Sequence, residues 1–326
     1  VRAAGGKGAG AFAARAIRRG ERVWAEEPAV AFALPRMGPG FSDAAEAYLQ
    51  GLLGVADEET QRRFWQLEDS FTSSADGRKT AWGVARTNAL PLGADAMDFG
   101  VFLVASRFNH SCVPNVQHTW QDEEGLEVIY ANRDIELGEE LCITYIELYL
   151  AREERRAQLS GPFGFECACA ACALAGAELS RSDARRRRLG ALDGALPEME
   201  AARPFDGLDA VEEVLRLIDE ELQGSPPMRG RAYGDGFRLA AAAGDLDLAA
   251  EMAMGAHSSS VMAEGAQSAT AMEFERLARD PWSYAEAAMG EEEEAWGDGV
   301  DNGDFDVLEL PGVPDEVAAV DQAEKK

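Results

Sequence analysis

One short stretch of the chain concentrates polar side chains: Arg107-Phe-Asn-His-Ser-Cys-Val-Pro-Asn115. Asparagine, histidine, serine and cysteine crowd into its last seven positions, and Pro114 fixes the local backbone. An apolar run over 99–106, of strand or buried-helix character, comes directly before it, so these groups cannot be buried without partners. A hydrogen-bonded turn is the simplest interpretation of the stretch alone, and a functional role needs support from elsewhere in the chain.

The cysteines supply part of that support. Cys167, Cys169 and Cys172 have C-x-C-x-x-C spacing, which cannot readily form a disulfide within itself and is typical of metal–thiolate sites. Cys142 alternates with apolar neighbours, as in a buried strand. The total of five is odd, and the sequence opens without the charged-then-apolar pattern of a leader. We therefore expect reduced thiols and a location in the nucleus or the cytoplasm.

Composition and charge narrow the class of protein. Of 326 residues, 46% are hydrophobic, enough for a sizeable core, and no apolar run approaches the ~18 residues of a membrane span. The net charge of −28 is concentrated after residue 173, where 34 acidic residues outnumber 14 basic ones. Phosphate backbones repel such a chain, so we expect no direct nucleic-acid binding and no membrane association. A basic protein or peptide is the favoured partner.

Apolar spacing predicts strands in the first half of the chain and helices elsewhere. Strand spacing occurs over 11–25, with a turn at Arg19–Gly20, and over 115–145 in the pattern of a β-meander. Helical spacing occurs over 42–85, 149–159 and 183–290. Glycine and proline predict breaks in the last helices at 204–207, 224–230 and 244–245. Residues 291–326 begin with four glutamates and predict a solvated acidic tail.

Four motifs, in this order over residues 5–173, resemble those of SET-domain protein lysine methyltransferases. Asn109–Asn115 resembles the family's NHSCxPN signature, and Gly138–Tyr145 resembles its GEEL-x-x-x-Y segment. Residues 7–21 resemble its opening GxG strand pair, and Phe165–Cys172 resembles its cysteine-rich post-SET tail. Four motifs in the family's order are far more specific than any one of them.

The SMYD-type proteins and their fungal SET relatives resemble the chain most within that family. They share a helical insertion between the two SET halves and a helical C-terminal region. The resemblance does not include the MYND zinc finger, because every cysteine is accounted for elsewhere. It implies an α+β protein with a β-rich SET fold. The implied order is a split SET domain at 1–148, with a helical insertion at about 36–98, followed by a zinc-bound post-SET segment at 149–173. An α-helical C-terminal region at 174–290 and an acidic, disordered tail at 291–326 complete it.

The resemblance implies S-adenosylmethionine as the cofactor and a protein lysine as the methyl acceptor. The implied cofactor-binding residues are Lys7, Gly8, Ala9, Gly10, Asn88, Asn109, His110 and Phe165. The glycines would let the backbone lie against the cofactor, where a Cβ would hold it away. Tyr145 would be the catalytic residue, because its phenol at the end of a lysine channel would hold amine and methyl donor in line.

The resemblance also implies a structural zinc ion held by four thiolates, those of Cys112, Cys167, Cys169 and Cys172. Such a closed four-thiolate site would tie the tail across the polar stretch and build one wall of the lysine channel. Loss of the metal would then disrupt the active site as well as the tail.

Two other classes of function stay open at this point. One is a non-catalytic, SET-like interaction module that contains zinc and holds a basic partner. The other is a zinc-stabilised scaffold that binds no cofactor. The arginine run Arg185–Arg188 is better explained as a solvated helix face or a clasp for the acidic tail than as a nuclear-import signal.

Overall fold

Short strands fill much of the first half of the chain, and long helices follow, so the predicted α+β class is correct. The computed structural model describes residues 1–33, 43–71, 78–93, 97–161 and 163–284. The strands are β1 Arg2–Ala3, β2 Ala9–Phe12, β3 Arg22–Glu26, β4 Val30–Ala33, β5 Ala89–Pro91, β6 Asp98–Val101, β7 Asn109–His110, β8 Val116–Gln121, β9 Leu126–Ala131 and β10 Glu140–Ile143. The helices are α1 Asp43–Gly54, α2 Glu58–Phe64, α3 Ala81–Asn88, α4 Arg152–Ser160, α5 Ala170–Ala173, α6 Gly176–Ala202, α7 Pro204–Leu222, α8 Pro226–Ala242, α9 Leu246–Glu264 and α10 Ala269–Arg279.

The strands of these described ranges form three small sheets, with orders β1-β2-β10-β7, β3-β9-β8 and β4-β6-β5. In the first sheet, β10 is antiparallel to β2 and parallel to β7. The parallel register pairs Cys142 with Asn109 and Ile143 with His110. This pairing brings the polar stretch at 109–115 beside the strand that leads to Tyr145.

Strands are present in both predicted regions, but the predicted meander is wrong. The strands on either side of Arg19–Gly20 do not pair with each other, because β2 joins β10 while β3 joins β9. Residues 115–145 are not one meander, since only β8 and β9 form a hairpin and β10 crosses to β2. Alternation of apolar and polar residues identifies a strand but does not say which strand pairs with it. The partner of β10 is decided by the buried cluster that Leu141 and Ile143 share with Ala11.

The helices predicted over 42–85 are present as α1, α2 and α3. Asp57 is the N-cap residue of α2, and its carboxylate accepts the Thr60 N–H; Thr80 is the N-cap residue of α3, and its hydroxyl accepts the Gly83 N–H. Phe64 is buried with α1 and α3 in a cluster that includes strand β4. The start of the predicted insertion, 36–42, lies outside the described residues.

The C-terminal helices α6 to α10 confirm the predicted helical spacing, but two of their breaks are shorter than expected. Pro204 and Pro226 are the first residues of α7 and α8, because a missing N–H costs nothing in the first turn. The break at 244–245 is correct. Among the described helices, none has the length and apolarity needed to cross a membrane. The predicted acidic tail lies outside the described residues.

Candidate active site

His110 and Tyr145 are joined by a direct hydrogen bond. The Tyr145 backbone N–H donates to His110 Nδ1 at 3.1 Å. Because Nδ1 accepts, the proton of the neutral ring sits on Nε2, which lies 3.3 Å from Cys112 Sγ. Burial lowers the pKa of His110 to about 4, so the ring is neutral at pH 7. His110 thus connects the segment carrying Tyr145 to a predicted metal ligand.

The side chain of Tyr145 lies in an aromatic cluster. Its hydroxyl donates to the Phe108 carbonyl oxygen at 2.7 Å. Ring centroids lie 5.2 Å away for Phe163, 5.4 Å for His110 and 6.5 Å for Phe165, the last edge-on. Burial raises the pKa of Tyr145, so the phenol stays protonated at pH 7. It can therefore orient a neighbouring group by hydrogen bonding but does not act as a base.

Asn115, the last residue of the polar stretch, holds strand β10 in place. Its Oδ1 accepts the Cys142 N–H at 2.8 Å. Its Nδ2 donates to the Glu140 carbonyl oxygen at 2.8 Å and to Glu139 Oε1 at 3.0 Å. The side chain is buried, and both ends of its amide are satisfied. This asparagine therefore fixes the strand from which Tyr145 emerges.

The two glycines of the opening segment differ in their surroundings. A Cβ on Gly10 would lie 2.8 Å from Asn109 Nδ2 and 3.0 Å from Glu140 Oε1, so protein atoms fill the space beside it. Gly8 has a φ of +77°, which side chains disfavour, and open space lies beside its α-carbon. A ligand could therefore approach the backbone at Gly8, whereas Gly10 allows close packing of Asn109 and Glu140.

Glu140 connects the opening strand to the polar stretch, and sequence reasoning did not single it out. Its Oε1 accepts from Asn109 Nδ2 at 2.8 Å, and its Oε2 lies 2.8 Å from Lys7 Nζ. Asn109 Nδ2 also donates to the Ala9 carbonyl oxygen at 3.2 Å. Burial lowers the pKa of Lys7, but the bond to Glu140 and nearby acidic groups more than offset it, so the pKa is raised. The predicted residues 7–10 and Asn109 are thus brought together.

Asn88 is not brought into this group by its side chain. Its Nδ2 donates to the carbonyl oxygens of Glu68 and Val84, both at 2.7 Å, so the amide is used near the end of α3. Only its backbone approaches, since the Asn88 carbonyl oxygen accepts from Ser106 Oγ. Phe165 does join the site, with its ring centroid 6.2 Å from that of His110.

The four predicted metal ligands form one cluster. The Sγ atoms of Cys112, Cys167, Cys169 and Cys172 all lie within 4.8 Å of one another. Cys112 Sγ is 3.6 Å from Cys172 Sγ and 3.9 Å from Cys167 Sγ. Tetrahedral zinc with bonds of about 2.3 Å separates its thiolates by about 3.8 Å. The cluster therefore fits the size and the donor set of a four-thiolate zinc site.

The structure contradicts a solvated face at Arg186, whereas the predicted clasp concerns an acidic tail that lies outside the described residues. Arg185 and Arg186 both bind Glu221 of α7, and Arg186 is fully buried. Arg187 and Arg188 are exposed, and Arg188 pairs with Glu213. Ser182 lies four residues before Arg186 and Leu189 three residues after it, so helical spacing places all three on one face. The small and apolar residues on that face were the sequence signal that Arg186 could be buried.

With this geometry in place, the similarity to known proteins defines the class. The SET domain family matches residues 8–146. The chain belongs to the SET-domain protein-lysine methyltransferases. The histone-lysine N-methyltransferase set5 of Schizosaccharomyces pombe is 32% identical over 284 residues, which cover 86% of this chain and 83% of that relative.

Shorter matches agree with the predicted SMYD-type resemblance. The human histone-lysine N-methyltransferase SMYD3 is 42% identical over 73 residues, covering 22% of this chain and 17% of the relative. The Gallus gallus protein-lysine N-trimethyltransferase SMYD5 is 36% identical over 76 residues, covering 22% of this chain and 18% of the relative. The predicted family and the predicted class of enzyme are thereby confirmed.

Proposed function

We propose that this methyltransferase moves a methyl group from S-adenosylmethionine to the side-chain amine of a lysine in a basic protein. The observation that carries the proposal is the position of Tyr145. Its backbone N–H bonds to His110, its phenol bonds to the Phe108 carbonyl oxygen, and its ring packs against both the buried cluster of the opening strand and the cysteine cluster. Histones are the proposed substrate class, since the relatives named above include histone-lysine methyltransferases and histones are basic.

The cofactor is proposed to lie along residues 7–10. The open space beside Gly8 leaves the backbone accessible there, and the Asn109 side chain borders the same strand through its bond to the Ala9 carbonyl oxygen. Phe165 offers a half-buried ring for an adenine. The Nδ2 groups of Asn88 and Asn109 both have partners already, so the proposal rests on the backbone of the Asn109–His110 segment for polar contacts.

Tyr145 is proposed to position the lysine amine. When bound, S-adenosylmethionine supplies a methyl group on a positively charged sulfur. The amine must be neutral to attack, against a reference pKa of about 10.4, and a nearby positive charge and poor solvation both favour the neutral form. The aromatic rings around Tyr145 exclude water, and its phenol together with the Phe108 carbonyl supplies polar atoms for orientation.

Zinc is proposed to be bound by the four clustered cysteines as a structural ion. A four-thiolate set leaves no open coordination position, so the metal would stabilise the post-SET segment rather than take part in chemistry. The thiols are free, which suits the reducing nucleus or cytoplasm that we propose as the location. The net charge of −28 favours a basic partner.

Tyr145→Phe tests the proposal directly. Transfer of labelled methyl from S-adenosylmethionine to a core-histone mixture is measured together with cofactor binding by calorimetry. We expect kcat to fall by about 100-fold or more, because the hydroxyl no longer orients the amine, with the cofactor Kd nearly unchanged. Tyr48→Phe, in the insertion core, is the matched control and should behave like the wild type.

The outcomes separate the three functions considered. Full activity in Tyr145→Phe would remove this residue from its role. A wild-type protein that binds S-adenosylmethionine but methylates neither histones nor a panel of lysine peptides would favour a non-catalytic module. Absence of cofactor binding by a folded, zinc-containing protein would favour a scaffold.

A further inference from the structure

One arginine of the C-terminal helices donates hydrogen bonds to backbone carbonyl oxygens of the candidate active site. Arg186 of α6 is fully buried, and its Nη2 donates to the Cys112 carbonyl oxygen at 3.0 Å. Its Nη1 donates to the Leu148 carbonyl oxygen at 2.5 Å. Cys112 follows His110 by two positions, and Leu148 follows Tyr145 by three. One guanidinium therefore bonds to the same two segments that the His110–Tyr145 hydrogen bond joins.

Glu221 of α7 holds that guanidinium in one orientation. Its Oε1 accepts from Arg186 Nε at 2.7 Å and from the Ser182 hydroxyl. Its Oε2 accepts from Arg185 Nη2 at 2.8 Å and from Arg185 Nε at 3.0 Å. A carboxylate with both oxygens engaged and a planar arginine with fixed donor directions leave little rotational freedom. The geometry at Cys112 is thus set by two helices of the C-terminal region.

Buried positive charge lies beside the cysteine cluster. Arg155 is fully buried, with its Nη2 4.0 Å from Cys172 Sγ. Arg186 is also fully buried, and its Nη2 contacts the Cys112 carbonyl oxygen. Four thiolates around a zinc ion would carry two net negative charges, which neighbouring positive side chains would help to offset.

We propose that Arg186 is a positioning residue for methyl transfer, and that the Arg186–Glu221 pair makes the C-terminal helices part of the active centre by fixing the Cys112 and Leu148 backbone. The inference rests on the proposed function for its catalytic consequence. It also predicts slower release of zinc, because the Cys112 carbonyl belongs to a metal ligand and supporting groups of this kind stabilise metal sites.

Arg186→Lys is the first test, since lysine keeps the charge but cannot contact Glu221 and both carbonyls at once. We expect zinc to leave the folded protein about 10- to 100-fold faster in the presence of a chromogenic chelator. We expect kcat to fall by a similar factor, with KM for S-adenosylmethionine within about threefold of the wild type. Arg188→Lys, which alters the surface pair with Glu213 on the same helix, is the matched control and should leave both quantities unchanged.

Arg186→Met combined with Glu221→Met distinguishes positioning from general stability. Replacing both members of a buried ion pair by apolar residues is often neutral for stability. We expect this protein to unfold at a higher temperature than either single variant, because neither of the two positions leaves its partner's charge buried alone, while zinc release stays fast and kcat stays low.

Wild-type zinc release and kcat in Arg186→Lys, or in the double variant, would overturn the inference. Zinc release is measured without substrate, so a wild-type protein that transfers no methyl group would contradict the proposed function and leave this comparison valid.

Discussion

The two walls of the proposed site are stabilised by different kinds of interaction. The glycine wall, residues 7–10 with Asn109 and Glu140, rests on strand β2, which is hydrogen-bonded to β1 on one side and β10 on the other. The cysteine wall, the four clustered cysteines with Phe163 and Phe165, includes a segment over 163–168 that has no regular secondary structure. Backbone hydrogen bonds between strands stabilise the first wall, whereas the second depends on its cysteine side chains, the proposed zinc ligands.

The difference separates two ways of losing function. A small change in the glycine wall should weaken cofactor binding while the fold persists, because the sheet on either side stays paired. A change in the cysteine wall should leave the whole post-SET segment without a fixed structure, because few backbone hydrogen bonds hold it once the thiolates separate.

Cys169→Ser should have the largest effect, because it removes one ligand of the cysteine wall. We expect zinc bound per chain to fall from one to near zero and methyl transfer to fall below detection. We expect far-UV circular dichroism to change little, since the long helices and the sheets do not depend on this residue. Zinc content, activity and circular dichroism are measured on the same preparation.

Cys142→Ala is the matched control, because Cys142 is a buried cysteine of β10 outside the cluster. It should keep its zinc. If Cys169→Ser retained one zinc per chain, the four-thiolate assignment would be wrong, and the two walls would not differ as argued.

Much of the candidate site could be named from the sequence because its residues lie within contiguous motifs. His110, Cys112 and Tyr145 come from two of these motifs, and the fold brings them into contact. The partner of strand β10 could not be predicted, because alternation carries no information about which strand lies alongside. Asn88 shows a further limit, since a motif names a residue but not the direction of its side chain.

Long-range polar contacts were the other part that the sequence did not reveal. Arg186 and Glu221 are 35 positions apart, and Arg186 and Cys112 are 74 positions apart. A run of four arginines is usually solvated, so composition pointed away from a buried role. The burial of one member becomes visible only when α6 and α7 are packed against the polar stretch.

Gly10→Ala should have an intermediate effect and tests the glycine wall. The added Cβ would lie 2.8 Å from Asn109 Nδ2, so either the strand or Asn109 must move. Overpacking of this kind costs about 1–3 kcal/mol. We expect the Kd for S-adenosylmethionine, measured by calorimetry, to rise by about 10-fold or more, while zinc content stays at the wild-type value.

Gly6→Ala provides the control for that change, because a Cβ on Gly6 meets nothing within 4 Å. It should bind the cofactor like the wild type. Equal affinities for Gly10→Ala and Gly6→Ala would show that the packing around Gly10 does not shape the cofactor site. Loss of zinc in Gly10→Ala would show that the two walls are not independent.

Glu140→Gln should have the smallest effect, because it removes a charge from the glycine wall without removing the backbone ladder. The amide oxygen of glutamine can still accept from Asn109, but the ion pair with the half-exposed Lys7 is lost. Exposed ion pairs contribute about 0.2–1 kcal/mol, so we expect the cofactor Kd to rise by no more than about fivefold. The difference from the wild type should shrink as salt is added, because salt screens the lost pair. A loss of binding larger than that of Gly10→Ala, persisting at high salt, would mean that the Glu140 carboxylate does more than form a screened ion pair and that the backbone ladder alone does not hold this wall.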